Sequence, residues 1–131
     1  MGDWGAEPWE TDEAADWFGN FIKGCDFSPI KDCINNFSEL DENYEEVRAA
    51  CYLLQFLANP YIWPQNKQSG SAKVLLAKGI EILENMINPN SQWSFLDMWN
   101  SNADVIESVK NQIIELKKRH SEWKHDLMLE D

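Results

Sequence analysis

The feature that most constrains the fold is the run Ile106, Val109, Ile113, Leu116, His120, Trp123 and Leu127, spaced alternately by three and four residues. That spacing is the seam of a helix packed lengthwise on other helices, and no strand can bury such a pattern. It predicts a long helix over about 104–127 that serves as the spine of a bundle. Five of the eleven basic residues (Lys110, Lys117, Lys118, Arg119 and Lys124) sit on it, mostly toward the end where the helix dipole favours cations.

Other segments repeat the helical period, and few show strict alternation. Thr11 reads as an N-cap, with Asp12 and Glu13 in a first turn. The helix they open runs to about Lys23, with Ala14, Phe18, Phe21 and Ile22 inward and Gly24 ending it. Ser28-Pro29 starts a second, short helix as an N-cap hydroxyl followed by proline, carrying Ile30, Cys33, Ile34 and Phe37. A third opens at Asp41, buries Val47, Ala50, Cys51, Leu54 and Leu57, and stops at Asn59-Pro60. Residues 61–71, with Pro64 and Gly70, read as a loop. A fourth helix over Ala72–Ile87 buries Val74, Leu75, Ile82, Leu83 and Met86, and Gln92–Trp99 reads as a short fifth. Residues 1–10, with Gly2, Gly5 and Pro8, form a non-helical arm expected to pack on the rest. The expected architecture is all-α: one domain over 1–131, an irregular bundle of five or six helices.

Charge is distributed very unevenly. Residues 1–46 hold thirteen acids and two bases, Lys23 and Lys31, and so carry −11 of the chain's net −12. Such a surface attracts cationic partners and repels nucleic acid and anionic lipid. No apolar run approaches the ~20 residues of a membrane-spanning helix. Met1-Gly2-Asp3-Trp4 has neither a basic nor an apolar export region, so a cytoplasmic location is expected. Cys25, Cys33 and Cys51 are an odd set without an export signal and read as reduced thiols.

The opening Met1-Gly2-Asp3-Trp4-Gly5, followed by Trp9-Glu10-Thr11-Asp12-Glu13-Ala14-Ala15-Asp16-Trp17-Phe18, resembles the bacterial domain-of-unknown-function family 4259. Its members start Met-Gly-x-Trp-Gly and continue to an acid-rich turn ending in Asp-Trp-Leu. The likeness extends more loosely to Ala49–Leu54, Leu76–Leu83 and the Trp93–Trp99 segment. The resemblance implies no established reaction. Small, acidic, cytoplasmic bacterial proteins of this kind are associated with immunity to secreted toxins, which is the functional expectation it brings.

Two acidic constellations are candidate binding sites. Glu39, Asp41, Glu42, Glu45 and Glu46 put five acids into eight residues with no base before Arg48. In one helix, Asp41–Glu45 and Glu42–Glu46 would be repulsive i,i+4 pairs. A face of this kind is either a solvated helix start or a docking site for a basic protein. The second comprises Glu7, Glu10, Asp12 and Asp16 with Trp4, Trp9 and Trp17. Its aromatics read more readily as anchors of the arm than as a cation pocket. Trp9 and Trp63 are the expected exposed aromatic anchors of an interface.

Chemistry is poorly represented. Glu122 and His125 have Glu-x-x-His spacing but form a single copy, so no metal and no cofactor is expected. No nucleophile elbow, phosphate loop or Cys–His signature appears, and no catalytic residue is assigned. The leading expectation is a non-enzymatic, monomeric inhibitor that covers the active surface of a basic, nuclease-type toxin domain. Its alternatives are a homodimer through the 104–127 seam and a small metal-dependent enzyme using Glu122, His125 and the Asp12/Asp16 pair.

Overall fold

Helical periodicity in the sequence becomes six helices among the described residues of a computed structural model, which describes residues 12–64 and 66–123. They are α1 (Asp12–Lys23), α2 (Ser28–Asn35), α3 (Tyr44–Leu57), α4 (Ala72–Met86), α5 (Phe95–Met98) and α6 (Ala103–Ser121). The architecture is an all-α bundle. The 1–10 arm, Thr11, His125 and Leu127 lie outside the described residues.

Helix α6 lies along α4 and also packs on α3, while α3 reaches α2 and α4. Between them Val47, Cys51, Leu54, Leu76, Leu83 and Leu116 have no exposed surface. The close approach of α3, α4 and α6 depends on Gly79: a Cβ there would stand 3.0 Å from the Cys51 Sγ and 3.5 Å from Leu116 Cδ1. A larger residue would push three helices apart.

Caps fix the helix starts. Ser71 Oγ accepts from the Val74 amide at 3.3 Å, and Asn102 Oδ1 accepts from the Val105 amide at 3.0 Å. At α2 the expected Ser28 cap is replaced. Asp26 Oδ1 accepts both the Ser28 amide (3.0 Å) and the Ser28 hydroxyl (2.7 Å), so the serine donates and the aspartate is the acceptor. These hydrogen bonds hold the Asp26 carboxyl below the usual range.

Several expectations are corrected. Phe21 is 57 % exposed rather than inward; it stacks on Trp17 one turn earlier, ring centroids 5.6 Å apart. Val74 is 44 % exposed because the α4 stripe runs through Leu75, Leu76, Gly79, Leu83 and Met86, about 100° away from it. The short fifth helix covers only Phe95–Met98. The terminal helix stops at Ser121, whose hydroxyl donates to the Lys118 carbonyl at 2.7 Å. Trp123 therefore leaves the helix, yet stays buried, its indole N–H donating to the Ala58 carbonyl at 2.8 Å.

Candidate functional site

The acidic segment is shaped by what lies beneath it. Tyr44, wholly buried, meets Phe37 and Phe95 with ring centroids 5.8 and 5.4 Å apart, and Phe37 meets Trp93 at 5.3 Å. This aromatic cluster joins α2, the start of α3 and the approach to α5, and it fixes where the intervening acids emerge. The Tyr44 hydroxyl accepts the Ser94 amide at 3.1 Å.

Above that cluster the chain does not open a helix at Asp41, as its sequence predicts. Residues 38–42 form turns, with the Asp41 amide donating to the Ser38 carbonyl and the Glu42 amide to the Glu39 carbonyl. Glu42 has φ 53°, in the left-handed region, and a residue there cannot belong to a right-handed helix. The Asp41–Glu45 and Glu42–Glu46 pairs therefore do not share a helix face.

The five acids are nonetheless brought together on the α2–α3 turn and the first turn of α3. Asp41, Glu42, Glu45 and Glu46 are exposed and Glu39 is half-buried. Glu42 Oε2 accepts the Ser94 hydroxyl at 2.7 Å, and Glu45 Oε2 accepts the Trp99 indole N–H at 3.1 Å. Both donors are neutral, so they orient carboxylates without cancelling charge. Among the described residues none of the five lies within 4.0 Å of a basic group. The ion pairs present there are Lys117–Glu84, Lys118–Glu115 and Arg119–Glu122, all involving α6 cations. The field of the cluster is felt nearby: burial first, and then the Glu46 charge, raise the Cys33 thiol pKa.

Asp12 and Asp16 are exposed one turn apart on α1, a separate element. Glu7, Trp9 and Glu10 lie outside the described residues. Trp63 is corrected outright. Only 3 % of it is exposed; its ring meets Phe27 at 5.0 Å, and its indole N–H donates to the Gly70 carbonyl at 2.9 Å. A loop tryptophan with both a ring partner and a hydrogen-bond acceptor is a core residue and cannot anchor a partner.

Among the exposed aromatics, two lie on α3 itself, the helix that carries Glu45 and Glu46. Tyr52 and Phe56, each 55 % exposed, lie one turn apart beyond Glu45 and Ala49, with rings meeting edge to face at 5.0 Å. Tyr52 lines a groove of about 450 Å³ between α3 and α6, and Phe56 packs against Tyr52 outside that lining. The floor of the groove is a reciprocal pair. Arg48 Nε donates to Gln112 Oε1 (2.8 Å) and Arg48 Nη2 to Ser108 Oγ (2.8 Å), while Gln112 Nε2 donates to the Arg48 carbonyl (3.0 Å). Sequence reasoning passed over Tyr52 and Phe56, although their spacing opposite Val47, Cys51 and Leu54 marks a second apolar face.

No three or more His, Cys, Asp or Glu side chains converge on a possible metal site among the described residues. No helix there is long and apolar enough to cross a membrane. A scan of family models, a search of curated proteins and a search of solved structures each found no match.

Proposed function

We propose that this chain is a cytoplasmic, non-enzymatic protein-binding module that presents the acids of residues 39–46 to a basic protein. In its most concrete form it is an immunity protein that covers the substrate-binding surface of a nuclease-type toxin domain. One observation carries the reading: among the described residues none of the five carboxylates is within ion-pair distance of a basic group, while the ion-paired α6 cations are held by other acids. Such a cluster imitates the anionic substrate of a nuclease and accelerates encounter through long-range attraction.

The protein-binding reading is favoured over a homodimer through the long-helix seam by one observation: Val109, Ile113 and Leu116 of that seam are buried within the chain.

The test is kinetic. A partner isolated by affinity capture and identified is titrated against the chain at rising ionic strength. The association rate falls about tenfold or more between low and high salt while the dissociation rate changes little. Neutralising the cluster (Glu39→Gln, Asp41→Asn, Glu42→Gln, Glu45→Gln, Glu46→Gln) flattens that dependence. An association rate indifferent to salt contradicts the proposal.

A further inference from the structure

A surface helix over a core should be polar on its outer side, yet the outer side of α3 is not. Past Glu45 and Glu46 it carries Ala49, Tyr52, Leu53 and Phe56, and the last three are 55, 46 and 55 % exposed. These positions follow the i, i+3, i+4, i+7 rhythm of a second apolar stripe, back to back with the buried one. It adjoins the groove whose floor is tied down by Arg48, Gln112 and Ser108, so the aromatics stand beside a concave, hydrogen-bonded bed. Aromatics clustered on an outer face next to a concavity are the usual composition of an interface centre.

Charge selects the occupant. Glu45 and Glu46 stand at the N-terminal end of the stripe, and Glu115, paired with Lys118, lies across the groove. A second copy, itself at net −12, would set acid against acid along this face. A cationic segment meets no such penalty, and Arg48, the one cation among the described residues that line the groove, is drawn toward the floor by Gln112 and Ser108. We propose that the α3 outer face and the α3–α6 groove seat an amphipathic, lysine- or arginine-rich helix of a partner protein. Its apolar side covers Tyr52 and Phe56, and its bases lie over Glu45 and Glu46. Helix-in-groove recognition reads anchors at this periodicity. The inference rests on the protein-binding reading above and adds to it the partner's local structure and the aromatics that anchor it.

The test uses the full chain and two synthetic peptides of about 18 residues composed of leucine and lysine. One places leucine at i, i+3, i+4 and i+7; the other has the same composition and charge in scrambled order. Calorimetric titration at near-physiological salt should show the amphipathic peptide binding at least about tenfold more tightly. Tyr52→Ala/Phe56→Ala, shown by circular dichroism to keep its fold, should abolish that difference while leaving the salt dependence intact. Glu45→Gln/Glu46→Gln should weaken both peptides and reduce their salt dependence. Equal affinity for the two peptides, or no effect of the aromatic variant, overturns the helix-in-groove inference and leaves the acidic-face reading standing. If neither peptide binds even at low salt, both fall.

Discussion

Cys51 shows how strongly the interior acts on one side chain. Buried between α3 and Gly79 of α4, its thiol is pushed from an ordinary 9.0 to about 12, by desolvation first and by Cys33 second. Because the folded value lies above the unfolded one, the folded state holds the proton more tightly. The associated stability is complete below pH 9.0 and is lost as pH rises toward about 12. Denaturant melts between pH 8 and 11 should therefore show a stability that declines with pH, more shallowly in Cys51→Ala. A thiol reagent at neutral pH should spare Cys51 until the chain unfolds. The neighbouring glycine answers to volume instead. Gly79→Val should destabilise by about 1–3 kcal/mol through overpacking, measured by chemical denaturation, despite valine's better helix propensity. Glu42 is a third case. Its φ of 53° costs a non-glycine residue about 1 kcal/mol, so Glu42→Gly should match or exceed the parent in stability after losing the Ser94 contact.

Two tryptophans decide how the helix ends are held. Trp123 sits just past α6 and donates to the carbonyl of Ala58, the residue that closes α3, so the two helix ends are stapled together. Trp123→Phe should cost about 1 kcal/mol for the lost hydrogen bond, and Trp123→Ala about 3–5 kcal/mol for the vacated volume, both read from urea melts. Trp63 similarly closes the 58–71 connection onto Gly70 and the Phe27 ring. Sequence patterning captured the elements whose signal is local. The α3 stripe at Val47, Ala50, Cys51 and Leu54, the α6 seam and the Asn59-Pro60 stop are all set by residues within one or two turns of each other. It misjudged what distant residues determine. Trp63, between Pro60 and Pro64, looks like an exposed loop tip, and only Phe27 from outside the loop reveals it as core. The acids before Tyr44 look like a helix's first turn, and no glycine announces the left-handed step at Glu42. On α3 two apolar faces compete, and the better-filled one concealed Tyr52 and Phe56.

At the scale of the whole molecule the dominant quantity is the net charge of −12, most of it on the first 46 residues. Self-repulsion of this size weakens the folded state at low ionic strength and is screened as the Debye length shrinks. Calorimetric melts should therefore shift upward by a few degrees between about 10 and 200 mM sodium chloride. The effect should diminish in the five-fold neutralised variant of residues 39–46. Where the acids gather was legible from composition alone. Which of them face solvent together was not, because it depends on the Phe37–Tyr44–Trp93 rings beneath the turn.

The indole of Trp99 is tethered to the carboxylate of Glu45 while 40 % of the residue faces water. That contact makes the molecule its own optical gauge. Any cation drawn to Glu45 competes with the indole for the same oxygen and changes the polarity around the ring, so ultraviolet emission will track occupancy without a dye. Subtracting the Trp99→Phe spectrum isolates the signal from the six remaining indoles.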